Sequence, residues 1–420
     1  MKISEVSAYQ IYDSRGNPTV EARVELENGI FATGLVPSGA STGQFEAHEL
    51  RDGDASRFRG LSVQRAVKNV EEEIRDAVVG KNVTDQAGID VAMIELDGTA
   101  NKSRLGANAI LSVSMAASKA AANVQSLPLF RSLGSGDLLP LPEVQLVGGG
   151  AHANWRIDVQ DFMLVAIGAA TYEQALEMTF DVYHAAGDLL SERGLRSGLA
   201  DEGGYWPNFS SNEEAFDVCL RSIERAGYVP GKDLALSLDI AASDLFDGER
   251  YHFRSEDKSF SREEFLQVML DWCESYPIVS VEDPFADTDI ESWQELQSRI
   301  GDRVQLIGDD LFTTNPDRIR DGIDQKLANA VLIKPNQIGT VTETLEAIRL
   351  TQQAGWRPVV SARSGETEDS FIAHLAVATN AGQLKVGSFA RSERMAKWNE
   401  VLRISHELGD KARFSVCIGA

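Results

Sequence analysis

The chain has 420 residues, 43% of them apolar and 25% charged, a length and composition that call for more than one small core in an ordinary globular protein. Its formal net charge of −24 argues against nucleic acid and anionic membrane surfaces as partners, while leaving room for a small anion wherever local cations reverse the field. No run approaches the roughly 18 apolar residues of a membrane span, and the N-terminus lacks a signal-peptide core, so a cytoplasmic location is expected.

In chain order, the first elements predict a hairpin. Val20, Ala22, Val24 and Leu26 alternate with Glu21, Arg23 and Glu25, and Asn28-Gly29 supplies a turn before Ile30-Phe31-Ala32. The small-residue loop Ser38-Gly39-Ala40-Ser41-Thr42-Gly43 is either a surface turn or a lid carrying hydroxyls to a metal or phosphate. Leu61, Val63, Ala66, Val67, Val70, Ile74 and Val78 then recur at helical spacing. The Ala-, Ser- and Val-rich stretch from Leu105 to Ala122 predicts a helix packed closely on others. These elements make a smaller N-terminal α+β domain over 1–133. Gly134-Ser135-Gly136-Asp137, with Pro140 and Pro142 just beyond, reads as a linker.

The remainder, 134–420, has the rhythm of an α/β protein built as a β/α (TIM-like) barrel. Five short apolar runs end in charged residues: Leu234–Leu238 in Asp239, Ile278–Val281 in Glu282, Val304–Gly308 in Asp309, Ala330–Ile333 in Lys334 and Val359–Ala362 in Arg363. The spacings of 43, 27, 25 and 29 residues are close to a strand-plus-helix repeat, and continuous apolar runs mark buried parallel strands. Barrel enzymes place their chemistry at the C-terminal ends of such strands. Asp201-Glu202-Gly203-Gly204, after Leu195–Ala200, is expected as another strand-end loop, and Gly148-Gly149-Gly150-Ala151-His152-Ala153 as a second mobile one.

Asp239, Glu282 and Asp309 offer only oxygen, which suits Mg²⁺ better than zinc. Acidic loops are common, but three in succession followed by a strand-end lysine favour a metal site. Lys334 caps its strand or, with its pKa lowered by burial and a neighbouring cation, serves as a general base. Glu202 is a candidate general acid, and Arg363-Ser364-Gly365 a phosphate grip pairing a guanidinium with a hydroxyl. The six histidines show no zinc-like spacing, and Cys219, Cys273 and Cys417 fit three ordinary reduced thiols.

Over nearly its whole length the chain resembles the enolase (phosphopyruvate hydratase) family. The strings that carry the likeness include Asp13-Ser14-Arg15-Gly16-Asn17-Pro18-Thr19-Val20-Glu21, Pro37–Gly43, Glu49-Leu50-Arg51-Asp52-Gly53-Asp54 and Gly106-Ala107-Asn108-Ala109-Ile110-Leu111. Further ones are Asp201–Gly204, Gly308-Asp309-Asp310-Leu311, Asn336-Gln337-Ile338-Gly339-Thr340 and Ser364-Gly365-Glu366-Thr367-Glu368-Asp369. The resemblance implies a dehydratase with Lys334 as base, Glu202 as acid and two Mg²⁺ per active site. Asp239, Glu282 and Asp309 occupy the metal positions, the last two also facing substrate, and Ser41 completes the second ion from the lid. Arg363, Ser364, Lys385 and His152 match substrate-binding positions. A homodimer or higher homo-oligomer is implied as well.

Two residues depart from the family. Asp161 stands where enolases usually carry Glu beside the leaving hydroxyl, and Ala362 where they usually carry His before the phosphate grip. Unchanged base, acid and metal ligands with altered neighbours suggest a substrate switch. The expectation is a specialised paralogue such as carboxyphosphonoenolpyruvate synthase, acting on a phosphonylated acid in phosphinothricin-type biosynthesis. There Ala362 would make room for an extra carboxylate on phosphorus, and Arg156 would meet its charge. The alternative is an ordinary glycolytic enolase acting on 2-phosphoglycerate. A non-catalytic homologue is the third reading, which would predict erosion of Lys334, Glu202 or a metal ligand.

Overall fold

The computed structural model describes residues 1–416 and 418, so Cys417 lies outside the described residues. The chain opens with an antiparallel meander, β1 (Ile3–Tyr12), β2 (Pro18–Leu26) and β3 (Phe31–Leu35). Val20, Ala22, Val24 and Leu26 are buried while the charged residues between them are not, and Gly29 takes the positive φ (80°) that the turn requires. The helical stretch 64–78 is continuous but carries a wide π turn at Val70–Ile74.

Helix α1 (Ala107–Gln125) is buried over most of its length because it has a core on each side. Ile110, Val113, Ala117 and Ala120 pack into the N-terminal apolar cluster, and Leu111 and Met115 into that of the barrel. A helix apolar all round is what such a position demands. Polar links tie the two parts together as well. Lys102 pairs with Glu343 at 3.0 Å, Lys119 with Asp369 at 2.5 Å, and Asp90 accepts from the Thr342 amide at 3.0 Å.

Among the described residues, eight strands close the barrel: β4 (Leu141–Gly148), β5 (Asp161–Val165), β6 (Ala235–Asp239), β7 (Ile278–Glu282), β8 (Gln305–Gly308), β9 (Ala330–Ile333), β10 (Arg357–Ser361) and β11 (Gln383–Gly387). The five apolar runs are β6 to β10, each ending at or within two residues of its charged partner.

The even β/α rhythm expected from residue 141 does not hold at the start. β5 pairs antiparallel with both β4 and β6, and two helices in succession, α2 (Tyr172–Glu192) and α3 (Asn212–Arg225), follow it. Reversal puts the first residue of β5 at the barrel mouth, so Asp161 lies opposite Gly148 on one side and Asp239 on the other. Asp201–Gly204 follows no strand. It lies in the long loop between α2 and α3, held by isolated bridges of Tyr205 to Val147 and Leu199. Lys385 sits within β11, paired with Ser361 and Glu143.

The barrel interior is unusually polar. Gln305 and Gln383 exchange amide hydrogen bonds of 2.7 and 2.8 Å, Gln305 also donates to Ser280, and Ser237 donates to Glu143 at 3.0 Å. A small apolar layer of Ile307, Ala330, Leu332 and Val359 completes it. Burial pushes Glu143 up to about 7, against the opposing pull of Ser237 and Lys385. The native state therefore holds this proton more tightly than the unfolded chain, and stability falls as pH rises from about 4.5 to about 7. Cys219 and Cys273 are buried free thiols, pushed by burial to about 12. No helix among the described residues is long and apolar enough to cross a membrane.

A Glu143→Gln variant is expected to melt near the wild type at pH 5 and above it at pH 8, by up to about 3 kcal/mol of stability. Thermal melts at the two pH values check this. An equal shift at both would contradict the buried-carboxylate account.

Candidate active site

The strand ends of the barrel carry the site, and buried loop residues set its angles. Asp283, just past β7, accepts from the backbone amides of Asp309 and Asp310 at 2.9 and 2.8 Å, which fixes the turn that presents Asp309. On the far side, α4 (Ser392–Leu408) carries the buried Arg394 and Lys397. Arg394 donates to the carbonyls of Arg363 and Ser364, and Lys397 pairs with Glu366 at 2.8 Å. Glu366 in turn accepts from the Arg363 amide at 3.1 Å, so the loop after β10 is clamped from beneath.

Nine of the residues singled out in the sequence line one small cleft: Ser41, His152, Glu202, Asp239, Lys334, Ala362, Arg363, Ser364 and Lys385. Asp161, Glu282 and Asp309 bind to its lysines. Lys385 Nζ lies 2.7 Å from Asp239, 2.8 Å from Glu282 and 3.5 Å from Asp161. Lys334 Nζ lies 2.5 Å from Asp309, whose other oxygen accepts from Gln337 at 2.7 Å. His152 Nδ1 is 3.5 Å from Asp161 and 3.9 Å from Glu202.

The charges perturb one another strongly. Burial alone would lower Lys385, yet Asp239, Glu282 and Asp161 hold it well above the usual lysine range. Burial raises Glu282 far out of the carboxylate range, with repulsion from Asp239 adding to it. Burial is outweighed at Asp161, which His152, Lys385 and Gln145 hold low, and at His152, which Glu202 and Asp161 hold high. At Lys334 burial acts to lower the amine, as expected, while Asp309 acts to raise it, and among the protein's own groups Asp309 prevails and holds the amine above its ordinary value.

Arg363 is buried and engaged. Its guanidinium meets Glu46 at 3.0 and 3.2 Å, Asn336 Oδ1 at 3.0 Å and the Ser41 carbonyl at 2.9 Å, while Ser364 Oγ accepts from the Ala40 amide at 2.6 Å. The loop 38–46 is thereby folded onto the grip. A side chain at Gly39 would crowd this arrangement, because a Cβ would lie 2.6 Å from the Ser41 carbonyl oxygen and 2.0 Å from Arg363 Nη2. Arg156 does not line the cleft. It donates to the Trp206 carbonyl at 3.2 Å and stacks on the Trp206 ring, which removes the countercharge expected for a second anionic group.

Several participants escaped the sequence reading. Gln160 lines the cleft and donates to Asp239 at 3.1 Å, Glu46 reaches Arg363 from the N-terminal part, and Gln145 and Glu143 rise from β4. Gln160 lies beside Asp161 and Glu46 close after the 38–43 loop, but hydropathy gives no reason to prefer them.

Asp239, Glu282 and Asp309 are all oxygen donors and buried, which fits a divalent cation, and Glu282 Oε1 and Gln160 Oε1 have no hydrogen-bond partner. The tightest donor clusters among the described residues are different sets, His152 with Asp161 and Glu202, and Asp283 with Asp309 and Asp310, so of the three expected ligands only Asp309 belongs to one. Mg²⁺ at about 100 times its dissociation constant is expected to add about 2.7 kcal/mol of stability. Glu282→Gln should lose most of that gain. Thermal melts with Mg²⁺ and with EDTA measure it, and an undiminished shift in the variant would remove Glu282 from the site.

Comparison with known proteins agrees with this geometry. Residues 3–133 match the family description "Enolase, N-terminal domain", and residues 137–417 match "Enolase, C-terminal TIM barrel domain". A similar protein is "Enolase 1" of Desulfitobacterium hafniense, 53% identical over 418 residues that cover 98% of this chain and 95% of the relative. The reversed β5, the crowded barrel mouth and these matches along almost the whole length lead to one conclusion: the chain belongs to the enolase family.

Proposed function

We propose that the protein is an ordinary enolase, a Mg²⁺-dependent hydro-lyase that interconverts 2-phosphoglycerate and phosphoenolpyruvate. The observation that carries this reading is that a lysine, an acid cluster and an anion grip face one small cleft: Lys334, then Glu202 with His152, then Arg363 with Ser364. Close identity to an enolase over the length of both chains favours this reaction over the specialised phosphonate-type paralogue expected from Asp161 and Ala362. The engagement of Arg156 with Trp206 points the same way.

In this reading Lys334 takes the proton next to the substrate carboxylate, and Glu202 protonates the departing hydroxyl, with Asp161 and His152 beside it. Arg363 and Ser364 hold the phosphate, which must compete with Glu46 for the guanidinium. Asp239, Glu282 and Asp309 would hold Mg²⁺, and Ser41 would bring a hydroxyl from the loop to a second ion. Mg²⁺, when bound, supplies positive charge against the dianion that proton loss creates and offsets the carboxylate charge that otherwise keeps Lys334 protonated. Lys385 adds fixed positive charge on the same side. Ala362 lines the cleft next to the grip. A homo-oligomer and a cytoplasmic setting, as in the family, belong to the same proposal.

Ultraviolet absorbance of the enol product, followed with 2-phosphoglycerate and Mg²⁺, tests it. Fast turnover abolished by EDTA is expected, and Lys334→Ala should lower kcat by at least about 10²–10⁴-fold. A folded, Mg²⁺-binding protein that left 2-phosphoglycerate untouched but accepted a carboxyphosphono analogue would reverse the preference.

A further inference from the structure

The carboxylate at 161 is one methylene shorter than the family's usual glutamate, yet Asp161 is fully buried and held in place. Its anchor is Gln145, also buried, three residues before Asp161's cross-strand partner Gly148. The β4–β5 register shifts between Gln145 and Val147. The Gln145 amide then spans two elements of the site. Nε2 donates to Asp161 Oδ1, and Oε1 accepts from the Gly204 amide at 2.8 Å. Gly204 is two residues from Glu202, so one side chain joins the short carboxylate to the loop that carries the proposed acid.

The surroundings are cleared for that side chain. A Cβ at Gly204 would lie 2.5 Å from Gln145 Oε1, and one at Gly148 would lie 3.1 Å from Nε2 and 2.6 Å from Ala200 Cβ. A shorter amide at 145 could not reach both partners, and a longer carboxylate at 161 would drive its oxygen into the amide. We infer that Gln145 is a positioning residue that spans the methylene missing at Asp161, and that the two lengths are coupled so as to keep Asp161 and Glu202 together around the leaving hydroxyl. This rests on the 2-phosphoglycerate reading.

The test is a double-mutant cycle with Gln145→Asn, Asp161→Glu and the pair together, scored by kcat, KM and exchange of the C2 hydrogen of 2-phosphoglycerate in D₂O. Misplacement by about 1 Å costs about 10²-fold, so each single variant should lose about 10–100-fold in kcat. KM should change little. C2 exchange, which depends on Lys334 and not on hydroxyl departure, should survive. The double variant, with the combined length restored, should return to within about fivefold of wild type. If a single variant does not fold, a folded and active double variant is itself the expected rescue. Losses that multiply in the double variant, or C2 exchange that falls in step with elimination, would overturn the pair while leaving the enolase reading intact. A wild-type chain that neither dehydrates nor exchanges 2-phosphoglycerate would overturn both.

Discussion

The structure depends on one buried ammonium. Lys385 Nζ sits among Asp239, Glu282 and Asp161, with all four groups shielded from water. Removing a charge from water costs several kcal/mol unless partners replace the solvent, and a single lysine cannot neutralise three carboxylates. The excess is visible at Glu282, which burial and Asp239 drive far from its ordinary range, and in oxygens that lack a hydrogen-bond donor. A native state that tolerates this arrangement does so for chemistry, because the same concentration of negative charge attracts divalent cations.

The rest of the fold is arranged to bring these groups together and keep water out. A barrel of parallel strands alone would carry its charged residues at strand ends. Reversing β5 adds one more carboxylate by presenting the strand's first residue, so Asp161 faces Asp239 directly. The polar interior beneath, with paired glutamines and a half-satisfied Glu143, continues this bias toward charge. The N-terminal part supplies what the barrel lacks. Helix α1 is buried against both cores, and the loop 38–46 reaches over the mouth to engage Arg363 through Glu46 and Ser41.

Positioning in such a site is done by residues that never carry the reaction. Asp283 presents Asp309, Arg394 and Lys397 brace the Arg363 loop, and Gln145 links Asp161 to Gly204. Each acts through backbone groups or a neighbouring side chain. For that reason the exchange at Asp161 cannot be interpreted alone, since its effect is set jointly with the side chain that holds it.

Periodicity and strand-end charges alone determined the barrel, the hairpin, the closely packed helix and the series Asp239, Glu282, Asp309, Lys334, Arg363. Those features are local, because a buried parallel strand writes itself as an apolar run and its end as the first charged residue. Of the remaining site residues, Glu202, Ser41 and His152 lie in glycine-rich loops that the sequence marks, whereas Asp161 and Lys385 came from the family likeness alone. Tertiary structure decided the reversed strand, the setting of Asp201–Gly204 in a long loop, Lys385 inside β11, Arg156 turned to Trp206, and the raised Lys334. Direction of a strand, the path of a loop and the balance of charge at a buried amine all depend on which distant groups come within a few ångströms. That is a property of the closed barrel, and no window of the sequence contains it.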